Sequence, residues 1–356
     1  MEPQFSSKYS NTEKKGELIG LLKSKTAILM VGAGSSLVVG YPGWNTLLVE
    51  LRDVFYPEFQ DPTDDDDLSD YAQKIKEQID DDNRQDEYFQ FLDEKFQPFP
   101  DKPNHSEFHI SLVNLGFCGI VTTNYDKVLE IALQASPRSH GNSLNCDPLD
   151  LCIEKPYSIF PFLRSLNSQT DHAYVLHLHG CYRSSEKIIL TRKDYEKNYG
   201  ELDEDKKESP RILDTIHRKV IWTLLTTHHH VFVGFSLSDP FFLSMIKTVK
   251  TDFRLGERCY HYAIMGYRDE DDMLRIINEL TFIGVCPIFY RIIKNTDGSD
   301  DHSRLNDLIS ELEHSTLPSM QHEEVEKNPI IVSIEKKVPS TILPSLDELN
   351  KITGGN

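Results

Sequence analysis

The chain has 356 residues, 38% of them hydrophobic and 27% charged, enough for one large domain with insertions and short for three. Its formal net charge of −19 excludes a general DNA- or RNA-coating role, which needs a basic surface, and leaves open only a local basic patch. Six scattered cysteines without a C-x-x-C pair give no structural zinc site and fit a reducing compartment. The polar start MEPQFSSKYSNTEKK lacks the apolar core of a signal peptide. No apolar run approaches the roughly 20 residues that span a bilayer, so a soluble cytoplasmic protein without membrane contact is expected.

In chain order, residues 1–25 read as a polar extension and a short helix with Leu18, Ile19, Leu21 and Leu22 on one side. Ala27–Val31 is an apolar run that predicts a strand buried on both faces, and Gly32, Ala33, Gly34, Ser35 and Ser36 follow it. Small residues straight after a buried strand let backbone N–H groups approach a phosphate, and a following helix would add its positive N-terminus. Many tight strand-to-helix connections use such a turn, and the G-x-G-x-x-G fingerprint is broken here by Leu37. Trp44 to Phe55 predicts an amphipathic helix, with Pro57 and Pro62 marking a loop after it. The acidic run Asp64–Asp67 with Asp70 and Asp80–Asp82 lacks the glycine and spaced ligands of a calcium loop and reads as a solvated face. Tyr71, Ile75, Ile79, Tyr88, Leu92 and Phe96 supply two helices, which makes 57–112 a mostly helical insertion able to roof a pocket.

Gly119–Thr123 predicts a second buried strand, ending at Asn124-Tyr125-Asp126 before a helix from Val128. The stretch 136–171 reads as a loop excursion, Tyr174–Gly180 as a strand ending in a glycine, and Asp194-Tyr195 as the start of a helical patch. A helix over Ile212–Leu225 leads into the strand Val231-Phe232-Val233-Gly234-Phe235-Ser236. A strand at 260–265, a helix at 270–281 and a last strand at 284–292 follow. Residues 295–305 break the pattern before a short helix, Leu305–Leu312, and a polar, proline-bearing stretch from Thr316. Repeated strand, turn and helix units predict an α/β fold, a doubly wound, mostly parallel, Rossmann-like sheet with helical insertions. The expected organisation is an extension (1–25), a main domain (26–295), NAD-binding and catalytic by the resemblance given below, and a helix with an assembly arm (296–356). The arm reading rests on the β-branched islands Ile330–Ile334 and Ile342-Leu343, which could add a strand to a neighbouring surface.

The glycine turn has company in Gly40-Tyr41-Pro42-Gly43-Trp44, Thr122-Thr123-Asn124-Tyr125-Asp126, His177-Leu178-His179-Gly180 and Gly234-Phe235-Ser236-Leu237-Ser238-Asp239-Pro240. Together these motifs resemble the sirtuin-like NAD-consuming fold, in the zinc-free variant found in prokaryotic antiphage defence. The resemblance spans roughly residues 20–295 and implies NAD as substrate, with no further cofactor and no metal. It implies catalytic roles for Asn124 and His179, with Asp126 near the nicotinamide carboxamide. It implies substrate contacts from Gly32, Ala33, Gly34, Ser36, Trp44, Gly234, Ser236 and Asp239. Each position has a plainer reading: His179 as a strand cap, Asn124 and Asp126 as an Asx turn, Asp239-Pro240 as a helix start. His177 reads as a structural histidine, and His228-His229-His230 as an exposed turn at the far end of the sheet. Sirtuin deacetylases carry a four-cysteine zinc module and a G-I-P-D-F-R loop, whereas this chain lacks the module and has Gly40-Tyr41-Pro42-Gly43-Trp44-Asn45. The family's defence branch hydrolyses NAD to nicotinamide and ADP-ribose, so a homo-oligomer, or control by a partner ATPase or phage-sensing protein, is expected. A non-catalytic NAD or ADP-ribose module and a zinc-free deacylase remain the alternatives. No direct nucleic-acid partner is expected.

Overall fold

The computed structural model describes residues 9–63, 67–136, 148–153, 158–167, 174–201, 215–235, 237, 239–256 and 258–316. Seven strands form one parallel sheet. They are β1 (Ala27–Val31), β2 (Gly119–Thr122), β3 (Leu149–Asp150), β4 (Val175–His177), β5 (His229–Val233), β6 (His261–Tyr267) and β7 (Val285–Arg291). Their spatial order is β3-β4-β2-β1-β5-β6-β7. From β1 the chain winds outward to β2 and β4, then returns to β5 and winds the other way to β7. Between β1 and β5 the order reverses, so the loops leaving these two strands diverge and open a crevice at their C-terminal ends.

The sheet is covered on both faces, which is why β1 is apolar at all five positions and fully buried. Ala27, Leu29 and Val31 pack with α1 (Asn11–Lys23), α5 (Glu107–Val113), α6 (Val128–Ala135) and α12 (Ser303–Thr316). Ile28 and Met30 face the opposite layer. That layer holds α7 (Ile159–Ser165), α9 (Ile216–Thr227), α10 (Pro240–Asp252) and α11 (Glu270–Phe282). A third core joins α2 (Trp44–Phe55), α3 (Leu68–Asp81) and α4 (Gln85–Phe96) through Leu48, Leu51, Ile75, Ile79 and Leu92.

Several expectations need adjustment. The insertion stops short of 112, because Phe108 and Leu112 of α5 pack into the layer with β1 and α12. The excursion 136–171 carries an edge strand, β3, and the short helix α7, whose Ile159 and Phe162 are buried in the main core. His229 and His230 form no exposed turn. They begin β5, and His230 is buried against His261 with ring centroids 5.2 Å apart. Where a break was expected after 295, β8 (Ile293–Lys294) pairs antiparallel with β9 (Asp300–Asp301). The Asp301 carboxylate then accepts from the Ser303 N–H at 2.7 Å as α12 begins. Buried Leu308, Ile309 and Leu312 fix α12 in the core. The islands at 330–334 and 342–343 lie outside the described residues. Among the described residues no helix is long and apolar enough to cross a membrane.

Candidate active site

The loop after β1 and the loop after β5 are locked together. Gly32 N–H donates to Val233 O at 3.0 Å and Gly34 N–H to Gly234 O at 2.9 Å. A Cβ at Gly32 would come within 2.6 Å of Gly234 O, and one at Gly234 within 2.3 Å of Ser35 N, with φ +63° at Gly234. The glycines are therefore required by loop-to-loop contact, and the N–H groups of Gly32 and Gly34 are spent inside the protein. The chain continues as a 3-10 turn, Ala33–Val39, before α2. Gly43, at the head of α2, supplies no side-chain cap, so the first N–H groups of that helix are left without one.

Asn124 leaves β2 beside this turn. Its Nδ2 donates to Ser36 Oγ at 3.1 Å and Gly32 O at 3.3 Å, which orients the amide. Its Oδ1 is buried and has no partner among the described residues. The backbone is held too: Thr122 Oγ1 accepts from Asn124 N–H at 3.0 Å, and His177 Nδ1 lies 2.8 Å from Asn124 O. His177 Nε2 lies 2.7 Å from Glu130 of α6, with both side chains out of solvent. Burial works against a charge on His177, but the adjacent Glu130 carboxylate carries its pKa above the ordinary histidine value. The sequence expectation of a structural histidine agrees with this geometry.

Asp126 accepts from Val128 N–H at 3.0 Å at the start of α6. Burial raises its pKa to about 6, against hydrogen bonds from Val128 and Ser36. His179 follows β4, and its Nε2 lies 2.7 Å from the hydroxyl of Tyr199 on α8 (Arg192–Tyr199). Burial and the nearby His217 lower the His179 pKa to about 3, so the ring is neutral at physiological pH. Tyr195, one helical turn before Tyr199, presents its ring to His179 at 5.3 Å. Across the crevice Asp239 caps α10 by accepting from Phe241 N–H at 2.9 Å and Phe242 N–H at 3.1 Å. Burial raises its pKa to about 6 as well.

These elements border one cavity of about 1110 Å³, slightly above the roughly 300–1,000 Å³ usual for small-molecule sites. Gly32, Ala33, Gly34, Trp44, Asn124, Asp126, His179, Gly234 and Asp239 all lie on its wall. Ser36 does not: it is buried behind the wall and bridges Asn124 and Asp126. Ser236 lies outside the described residues. The Trp44 indole N–H is a second buried polar group without a partner among the described residues, so the wall carries an orphan donor as well as the orphan acceptor on Asn124. Among the described residues no three His, Cys, Asp or Glu side chains meet as metal ligands.

Sequence reasoning missed four supports. Tyr199 holds His179, Glu130 holds His177, and His109 Nε2 lies 3.0 Å from Ser35 O under the glycine turn. The fourth is the segment after β7, where Asp300, Asp301 and His302 close the far end of the cavity. No local pattern marks any of them.

A doubly wound sheet with a cavity at its switch point, and an amide and a histidine on neighbouring strand ends, has the arrangement in which open α/β sheets bind ligands. Residues 119–284 match the family model described as the SIR2-like domain. This stretch is thus similar to the SIR2-like domain, and the match includes Asn124, Asp126, His179 and Asp239 while the glycine turn precedes it. No curated protein matches the chain.

Proposed function

We propose that the protein hydrolyses NAD at the bond between nicotinamide and ribose, releasing nicotinamide and ADP-ribose. The observation that carries this reading is the pairing on one wall of neutral, buried His179 with Asn124, whose amide oxygen has no partner among the described residues. Cleavage of that bond passes through an oxocarbenium-like transition state, so positioning of ribose and water matters more than strong base catalysis. Asn124 Oδ1 accepts a hydrogen bond from the attacking water or from a ribose hydroxyl. His179 orients the same hydroxyl array and takes up a proton late, after C1′ has lost nicotinamide and gained water oxygen. Asp126 faces the departing carboxamide. The uncapped N-terminus of α2 favours the pyrophosphate.

In a cell, unrestrained turnover would deplete NAD, which fits the defence role implied by the motif resemblance and a need for control by self-association or a partner. Purified full-length protein, alone and with candidate activators, is incubated with NAD and nicotinamide release is followed. Release is the expected result. Its absence under every condition, together with absence of NAD binding, overturns the reading. Nucleotide binding without release would instead support a non-catalytic sensor.

A further inference from the structure

The cavity runs through the switch point. One end lies at β2 and β4 with Asn124 and His179, the other at β6, β7 and the β8–β9 ribbon with Gly266, Tyr290 and Asp300. On the proposed reading, the reacting ribose occupies the first end, so the second nucleoside of the dinucleotide reaches the second.

That far end has a definite electrostatic character. Its carboxylates are Asp300 and Asp301, and among the described residues lining the whole cavity there is no lysine or arginine. Asp301 is engaged at the start of α12, accepting from Ser303 N–H at 2.7 Å and Ser303 Oγ at 3.1 Å. Asp300 is held differently. Arg268 Nη2 and Lys294 Nζ each approach its carboxylate to 2.7 Å, and neither cation is on the cavity wall. The ribbon register places Lys294 opposite Asp300, so the ion pair is built into the hairpin. Hydrogen bonds from Lys294 and Arg268 hold the Asp300 pKa at about 2, and it stays ionised throughout the neutral range.

From this arrangement we infer that the site takes dinucleotides whose adenosine ribose carries free hydroxyls and rejects those bearing a 2′-phosphate, with Asp300 as the discriminating residue. The inference rests on the nucleotide reading of the cavity. A fixed carboxylate with lone pairs to spare accepts O–H donors from a ribose diol, whereas a phosphate in that place meets like charge while the adjacent Arg268 and Lys294 are already paired with Asp300. Elsewhere among doubly wound folds an acidic side chain does the same work from the end of another strand, and an arginine near it admits the phosphate. Here Arg268 and Lys294 are the latent phosphate partners, masked by Asp300.

The test compares binding of ADP-ribose and 2′-phospho-ADP-ribose to the full chain by titration calorimetry, which needs no turnover. The wild type is expected to prefer ADP-ribose by about tenfold or more, the scale of one charge-assisted hydrogen bond. Asp300→Asn is expected to narrow or reverse the ratio, Asp300→Glu to retain the preference, and Asp300→Asn with Arg268→Ala and Lys294→Ala to lose the gained phosphate affinity. Thermal unfolding checks that each variant is folded. Equal wild-type affinities, or a ratio unmoved by Asp300→Asn in a folded variant, overturn this inference while leaving the nucleotide reading intact. Binding of neither ligand overturns both.

Discussion

Two groups of buried histidines lie at opposite ends of the same sheet. His177 and His179 stand at the C-terminal end of β4, and His230 and His261 at the N-terminal ends of β5 and β6. Burial depresses the pKa of His179 to about 3 and that of His261 to about 3, and it drives His230 well below its ordinary value. Titration behaviour therefore does not separate His179 from the far pair, and His177 differs from all three because Glu130 raises its pKa. Surroundings do separate His179 from that pair. His230 and His261 touch each other and Phe232, and neither lines the cavity. His179 lines it, beside the Asn124 amide, whose oxygen has no partner among the described residues. A perturbed histidine marks a site only where the topology also opens a crevice, and in a parallel sheet that is the C-terminal edge.

The sharpest way to break this comparison is truncation at both ends. His179→Ala and Asn124→Ala are each expected to lower nicotinamide release by about 100- to 10,000-fold with the fold retained. His230→Ala is expected to leave turnover per folded molecule unchanged and to cost about 1–3 kcal/mol of stability, read by denaturant unfolding. Activity surviving in both strand-end variants would remove the distinction.

Next in size is the loop interlock. Gly234→Ala sets a Cβ 2.3 Å from Ser35 N at φ +63°, and strain of about 1–3 kcal/mol with weakened ADP-ribose binding is expected. Gly256→Ala, at φ +61° with nothing within 4 Å, is the control and should cost only the conformational strain of about 1–2 kcal/mol, with binding unchanged.

A smaller effect tests how His179 is held. Tyr199→Phe removes the hydroxyl 2.7 Å from His179 Nε2, and kcat is expected to fall about tenfold with KM little changed. Equal losses in stability and no change in kcat would make the hydroxyl purely structural.

The smallest effect is a slope. His230 and His261 have folded pKa values below the unfolded value of about 6.5, so the unfolded chain binds more protons and each contributes stability that is present above pH 6.5 and lost as pH falls. Asp126 and Asp239, raised to about 6, act oppositely, since the folded chain holds their protons as pH rises from the carboxylate range. Replacing His261 by Gln is expected to flatten the loss of stability between pH 6.5 and 5.5 by about 1 kcal/mol per pH unit, without altering turnover.

Much of this was legible in the chain itself. The apolar runs at 27–31 and 231–233 dictate strands buried on both faces, and such strands require a parallel sheet with two helical layers. The polar or small residues directly after each strand, Asn124, His179 and Gly234 among them, lie at the sheet's C-terminal edge because a strand's direction carries its next residues there. The edge strand β3 escaped detection because two residues in a polar segment leave no period to read. The limit of the helical insertion escaped because Phe108 and Leu112 look like any amphipathic pair until their partners on α12 and β1 are known.

The sequence alone therefore determined the parallel sheet, its central strand and which residues stand at the strand ends bordering the cavity, since hydrophobic period and strand direction are local properties. Tertiary structure alone decided how those residues are held and what closes the far end. His109 reaches Ser35 across 74 positions, Glu130 reaches His177 across 47, and Tyr199 reaches His179 across 20. Hydrogen-bond partners so distant are selected by packing of whole layers, which no short pattern encodes. The same packing brings α12 onto the sheet and carries Asp300 to the cavity wall, where its pairing with Arg268 and Lys294 sets the charge that a nucleotide would meet.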